Sequence, residues 1–353
     1  MKFIQQQTMQ QQTGFSLVEL LIAMVLGLIL SAGAVQIFVN NGSVYRVENE
    51  LSRIQQNGRF IVNSMVEDLR MAGYNGCSSR NLVPTRSAAD APFPFAEGTT
   101  PNLNIFNGTE SIRGFEAAAG IDANLNIVGA TPGSDVLNVQ RVATCGAQLT
   151  NTFAASDGLE VAANTCGFDD NQAVMVTDCR TADIFQISNV AAGVGTETLD
   201  HTPDLASGLT YSTDASIYRY ISNAYFIGVA PSGEPALLRS SWTPNADNNI
   251  DGTDFNAAVL AEGIEDMQIQ YGEDTAGTDG YADVYRDANN VADWSAVRSV
   301  RVSLLLRSPD NITSAPRGIM FNGAMVNDPN VAGADRRLRT VYTTTASLRN
   351  RLP

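Results

Sequence analysis

The stretch that decides the reading opens Gly14-Phe15-Ser16-Leu17-Val18-Glu19 and continues LLIAMVLGLILSAGAV from Leu20 to Val35, with Ile37, Phe38 and Val39 extending it. As a helix, the 25 residues from Phe15 to Val39 measure about 37 Å, enough to cross a bilayer core of roughly 30 Å. Two features set it apart from a conventional secretory signal. The positive charge of such a signal abuts its apolar segment, whereas here Lys2 is followed by uncharged residues from Phe3 to Thr13. A carboxylate, Glu19, also stands near the start of the apolar run. An ionisable residue in a membrane segment is costly and calls for a partner. The competing reading is a signal peptide cut after Ala34 at the small-residue site Ala32-Gly33-Ala34, which makes Val35 the first mature residue.

Gly14-Phe15-Ser16-Leu17-Val18-Glu19 with the apolar run behind it resembles the prepilin-type signal of type IV pilins and pseudopilins. The resemblance implies that a prepilin peptidase cuts after Gly14 and methylates the new amino terminus on Phe15. Charge arithmetic gives this a physical sense. The cut leaves a cationic amine on Phe15 close to the membrane, and Glu19 of the same or a neighbouring subunit can pair with it as helices dock. Two charges in an apolar filament core are tolerated when paired and penalised when a misregistered neighbour leaves them alone. Glu19 is therefore expected to set register and recruitment.

Beyond the span, Val44, Val47, Leu51, Ile54, Ile61, Met65, Leu69 and Ala72 alternate at three and four residues, with Gly58 in the missing slot. Arg46, Glu48, Glu50, Arg53, Arg59, Glu67 and Asp68 are read as filling the other faces. This predicts one long helix, with a kink or brief break at Asn40-Asn41-Gly42 and an end at Gly73 and Asn75-Gly76. After Cys77 the texture changes to short strand-like runs separated by Gly, Pro, Asn and Asp. Strands are expected at Val136–Val142, Ala173–Val176, Asp183–Ser188, Ile217–Ile221, Ala224–Val229, Ala236–Arg239, Met267–Tyr271, Val297–Arg307 and Thr340–Leu348. A hairpin is read around Pro231-Ser232-Gly233-Glu234-Pro235, and residues 78–135 and 240–295 read as long loops or insertions.

The fold class expected is α+β: a long N-terminal helix, half transmembrane and half amphipathic, packed on an antiparallel β-sheet head. The expected organisation is a leader over 1–14, a transmembrane and filament-core helix over 15–39, the exposed half of the helix over 40–74, and a periplasmic head over 75–353. The C-terminal half resembles the PilW type of minor pilin. The carrying pieces are Ala261-Glu262-Gly263-Ile264-Glu265-Asp266-Met267-Gln268, then Trp294-Ser295-Ala296-Val297-Arg298-Ser299-Val300-Arg301-Val302, and Tyr342-Thr343-Thr344-Thr345-Ala346-Ser347-Leu348-Arg349-Asn350-Arg351. The J-type pseudopilin of type II secretion shares the general plan.

Composition narrows the chemistry. Of the 22 basic residues in 353, all but Lys2 are arginines, and His201 is the lone histidine. Phosphate-loop nucleotide binding, lysine Schiff bases and Ser-Lys dyads lose their lysine, and no Ser-His-Asp spacing is recognisable. The chain is not expected to be an enzyme. Residues 81–292 carry 7 basic and 28 acidic side chains, so a broad nucleic-acid face is not expected there.

Cys77, Cys145, Cys166 and Cys179 all follow the span. An even count in an oxidising compartment suggests two disulfides, with three connectivities open; Cys166–Cys179 with Cys77–Cys145 is the pairing favoured here. Asp247-Asn248-Asn249-Ile250-Asp251-Gly252 matches the first half of a calcium loop, with oxygen ligands at Asp247, Asn249 and Asp251. Ala258 occupies the position of the closing glutamate; Asp254, Glu262 or the cluster Glu273, Asp274, Asp279 and Asp283 are the substitutes considered. Apart from calcium, no cofactor is expected. Arg336, Arg337, Arg339, Arg349 and Arg351 read first as a charged, protected strand edge and second as a contact for the acidic middle of a neighbouring subunit, or for DNA if the filament takes up DNA.

Together these observations point to a minor pilin. The resemblance implies partners in prepilin peptidase and in other minor and major pilins, storage in the inner membrane with the head in the periplasm, and then a place in a surface pilus. It further implies a part in priming assembly and in adhesion, twitching or DNA uptake. The alternatives are a type II secretion pseudopilin and a membrane-anchored, calcium-binding adhesin.

Overall fold

The computed structural model describes residues 16–77, 85–86, 111–116, 130–163, 166–202, 204–205, 207–242, 255–276 and 279–351. Helix α1 spans Leu17–Met71, 55 residues. It runs unbroken through Asn40-Asn41-Gly42, so a brief break there does not occur. Helix propensities of individual residues are weak, and two Asn and a Gly do not interrupt a run with good formers on both sides. It ends where expected: Tyr74 N–H donates to Met71 at 2.9 Å, and Gly73 takes φ +74°, a left-handed value that glycine adopts without strain.

The chain divides into two compact units, one up to Ser52 and one from Arg53 onward. In the first, the apolar helix is uncovered among the described residues: Leu17, Leu20, Ile22, Leu28 and Phe38 are all exposed. In the second, the stripe predicted from the three-and-four spacing is the buried face. Ile54, Ile61, Met65, Leu69 and Ala72 lie in one core cluster with Leu137, Tyr225, Ile227, Met267, Ile269, Val300, Val302, Leu304 and Leu306. Full burial of each large side chain is worth roughly 2 kcal/mol.

Two sheets supply that cluster; strands are numbered in chain order. The eight-stranded sheet runs β1 (Thr85–Arg86), β6 (Ala182–Gln186), β5 (Ala173–Thr177), β9 (Ser216–Val229), β10 (Pro235–Trp242) and β11 (Phe255–Glu262), with β3 (Val136–Gln148) pairing β9 and β2 (Ile112–Phe115) pairing β3. The four-stranded sheet runs β13 (Val284–Arg286), β12 (Ile264–Glu273), β14 (Val297–Asn311) and β17 (Arg337–Ser347). A smaller sheet holds β4 (Leu159–Ala162), β8 (Thr196–Asp200) and β7 (Asn189–Ala192), and β15 (Ile319–Phe321) pairs β16 (Ala324–Val326). Among the described residues β1 and β6 pair in parallel and every other pairing is antiparallel.

The run read as a central strand is one: β14 lies between β12 and β17, with Val300, Val302, Leu304 and Leu306 in the helix-facing core. The predicted hairpin joins β9 to β10, with Gly233 N–H bonded to Ala230. The two runs Ile217–Ile221 and Ala224–Val229 are one strand, and 240–295 is not a long loop, since β11, β12 and β13 fall in it. Strand β11 (FNAAVLAE) was hidden by its weak alternation and two adjacent alanines.

Gly58 explains the gap in the apolar stripe. A Cβ there would stand 2.9 Å from the Tyr342 ring and 3.2 Å from Leu306 Cδ2, so the helix meets β14 and β17 backbone-close at this point.

Candidate functional site

The amino end of α1 is built by Ser16. Glu19 N–H donates to the Ser16 carbonyl at 3.1 Å and to Ser16 Oγ at 3.2 Å. A serine accepting from the third residue of the helix satisfies one of its orphan donors, and Ser16-Leu17-Val18-Glu19 has the spacing of a capping box. That signal is legible in the sequence as Ser-x-x-Glu, and it gives Ser16 a role beside Glu19. The carboxylate of Glu19 is exposed in the first helical turn, where negative charge is favoured by the helix dipole. Gly14 and Phe15 lie outside the described residues.

At its other end the helix is fastened by Asp68. Reading Asp68 as a solvated face residue is corrected: it is 7% exposed. Its carboxylate accepts from Arg141 Nε and Asn223 Nδ2, each at 2.8 Å, and from the Tyr225 hydroxyl at 2.7 Å. Burial, and then the charge of Asp68, hold the Tyr225 phenol far above its usual range, so it stays a donor. Asp68 lies three residues after Met65 and seven after Ile61, at the margin of the buried stripe. One-dimensional spacing could not show that two strands present three donors there.

Three of the C-terminal arginines, Arg337, Arg339 and Arg351, have side-chain partners in this chain. Arg337 pairs with Glu234 at 2.8 Å, and Arg339 with Glu265 at 2.7 Å and Asp335 at 2.6 Å. Arg307 reaches Glu234 at 2.9 Å. Burial alone would lower the Arg339 guanidinium, but its bonds to Asp335 and Glu265 outweigh that and raise it. Part of the acidic middle is thus neutralised within the subunit. Arg351 donates to Ser111 Oγ and the Trp294 carbonyl, and Asn350 bonds the Ala72 carbonyl at the helix end.

The disulfides are Cys77–Cys179 and Cys145–Cys166. All four cysteines pair, but the favoured connectivity is overturned. Cys179 sits on a tight turn between β5 and β6, φ +67°, and the fold carries that turn to the end of α1 rather than to Cys166. Sequence proximity favoured the short loop, whereas strand order decided the partner.

Asp247, Asn249 and Asp251 lie outside the described residues, as does Asp254. The alternative cluster is held by its own chain. Glu273 faces Arg286 at 3.1 Å, Asp274 faces Arg298 at 3.4 Å, and Asp283 accepts from Thr275 and Ala276 N–H groups at 2.8 Å. Asp279 accepts from Tyr281 N–H at 3.0 Å, and Glu262 from Ser232 at 2.9 Å. Among the described residues no group of three or more His, Cys, Asp or Glu is arranged to hold a metal.

Residues 224–350 match the family model of type IV pilus-assembly protein W, and residues 9–35 match the prokaryotic N-terminal methylation motif. This is a pilin-like protein of the PilW type. No curated protein matches the chain. The match to the assembly-protein model takes in the end of β9 and all of β10 to β17, so in this minor pilin, related to type IV pilus assembly, it includes the whole four-stranded sheet that packs on the helix. Inside it, Gly263 takes φ +82° between β11 and β12, and a Cβ there would stand 2.9 Å from the Arg307 carbonyl. The residues after it divide their work: Ile264 and Met267 enter the core, Glu265 holds Arg339, and Asp266 accepts from Ser134 at 2.6 Å. The methylation-motif match covers the capped, apolar start of a helix long and apolar enough to cross a membrane.

Proposed function

We propose that this minor pilin is stored in the inner membrane as a single-pass precursor with its head in the periplasm, cut after Gly14 and N-methylated on Phe15. It then joins other minor and major pilins to prime a type IV pilus, and takes a place at the surface in support of adhesion, twitching or DNA uptake. The reading is carried by one observation: the same helix is uncovered and apolar over its first half and locked into a head over its second. An uncovered apolar face of this length is satisfied by lipid before assembly and by other helices after it. Glu19, exposed one turn into that helix, is the group that would receive the Phe15 amine and penalise misregistered docking. The role is structural and needs no catalysis or cofactor. A staggered set of such helices offers the first major subunit a preformed groove.

The test is intact mass and N-terminal fragmentation of protein from membranes, with and without active prepilin peptidase. A start at N-methylated Phe15 that disappears with the peptidase supports the proposal. A start at Val35, or an uncut chain in both strains, sinks it.

A further inference from the structure

The chain between Gln148 and Ser216 is an insertion. These residues are register partners on β3 and β9, so the chain leaves a hairpin and returns to the point where it left. Within it β4, β8 and β7 form a sheet of their own, while β5 and β6 join the eight-stranded sheet through the pairing of β5 with β9. Leu159, Phe168, Phe185, Leu199 and Tyr211 belong to a core cluster separate from the one on α1. The insertion lies outside both family matches.

Both disulfides enter this lobe. Cys145–Cys166 ties it to β3 at its base, and Cys77–Cys179 crosses from the chain just past α1 to the β5–β6 turn. The bridges are nested, since 145 and 166 both fall between 77 and 179. The outer bridge lands on a braced turn. Asp178 accepts from Arg180 N–H at 2.9 Å and Thr181 N–H at 2.7 Å, and Cys179 N–H donates to Thr177 Oγ1 at 3.0 Å. The non-covalent ties of the helix end are hydrogen bonds: Gly73 N–H to Gln140 and Val142 N–H to Tyr74, each 2.9 Å, the Asn350 amide to Ala72, and the three donors on Asp68. Such bonds yield one after another under a pull.

We infer that Cys77–Cys179 is a covalent load path from the lobe into helix α1. Tension applied to the lobe reaches the helix without passing through the chain between the two cysteines, which are 102 positions apart. The inner bridge lies off this path and serves the lobe's own stability. The inference rests on the pilus reading only in taking α1 as the element through which a filament is pulled.

The experiment stretches the full-length chain in detergent micelles between its amino terminus and a peptide tag inserted after Val194, which is fully exposed in the β7–β8 turn. With both bridges intact, the residues between Cys77 and Cys179 add no length. Reducing the folded wild type should lower the first rupture force and release 102 further residues, roughly 35 nm. The C77S/C179S variant should do the same but release roughly 28 nm, because the inner bridge still closes 21 residues. The C145S/C166S variant should keep the wild-type rupture force and length. Equal rupture forces with and without Cys77–Cys179, or equal losses from removing either bridge, would overturn the inference. Reduction after folding covers the case in which C77S/C179S fails to fold. A wrong start at the amino terminus would remove the pilus reading and leave these force curves unchanged.

Discussion

The Tyr225 hydroxyl donates to Asp68 Oδ2 across 2.7 Å, joining the last turns of helix α1 to the middle of the longest strand of the eight-stranded sheet. With Arg141 and Asn223 on the same carboxylate, the helix is oriented by polar bonds as well as by its apolar stripe. Removing the acceptor leaves a half-buried guanidinium and a buried amide and phenol without it. Asp68→Ala should cost about 3–4 kcal/mol, and Tyr225→Phe, which removes one donor, about 1 kcal/mol. Urea denaturation of the purified protein followed by far-ultraviolet dichroism measures both, and near-equal effects would contradict the arrangement.

Gly58 predicts a steric cost at an otherwise ordinary helix position. Gly58→Val forces the Tyr342 ring and Leu306 to move and should destabilise by about 2 kcal/mol. Combining it with Tyr342→Ala should recover part of the loss, because the two effects share one space. Simple additivity in thermal melts would rule out the close approach.

Disulfide mapping is a direct check of topology. Non-reducing peptide maps should contain Cys77 linked to Cys179 and Cys145 linked to Cys166. In the chain-entropy account, closing the 21-residue separation is worth about 3 kcal/mol and the 102-residue one about 5. A Cys166–Cys179 peptide would contradict the strand order that brings the β5–β6 turn to the helix end.

Acid should weaken the head through its arginine clasps. The bond from Arg337 holds Glu234 below its ordinary value of 4.5, and the bond from Arg339 holds Asp335 below its ordinary 3.8. A depressed folded-state value means that the unfolded chain binds more protons in this range, so stability rises with pH there. The contribution is fully present above the unfolded values and is lost as pH falls below about 4 and through the folded values. Asp266 acts in the opposite sense, since burial raises it. An R337A/R339A variant should show a shallower loss of stability between pH 5 and pH 3, two settings about a unit either side of those ordinary values. An unchanged slope would mean that the clasps are open in solution.

Glu19 separates processing from assembly. Glu19→Val keeps the apolar run and the Ser16 cap, so the precursor should still be cut after Gly14 and inserted in the membrane. It should fail to enter filaments alongside wild-type subunits, as read by quantifying the protein in sheared pili. Normal incorporation would remove the register role.

The helix was legible from one dimension because both of its halves are written locally. An apolar run of membrane length and a stripe at three and four residues need no knowledge of distant partners, and Ile54, Ile61, Met65, Leu69 and Ala72 are buried as that spacing requires. Glycine and asparagine likewise marked the helix end, the hairpin at Gly233 and the unread Asn322-Gly323 turn between β15 and β16. Strands with weak alternation, such as β11, β4 and β7, were not visible, because an edge or minor-sheet strand buries too few side chains to leave a period. Asp68 needed donors from residues 141, 223 and 225, and Cys179 needed to know which end of the sheet meets α1.

The sequence by itself therefore determined what depends on neighbours along the chain: the apolar helix with its carboxylate at the start, its amphipathic continuation, and an antiparallel head. Only the tertiary structure decided which cysteines meet, which acids the tail arginines hold, where the helix can approach a strand through Gly58, and that residues 149–215 form a stapled lobe. Those outcomes turn on pairing between segments distant along the chain, as Asp68 and Tyr225 are at a separation of 157 residues. Which segments pair is set by the free energy of the whole packed core, and no local pattern carries it.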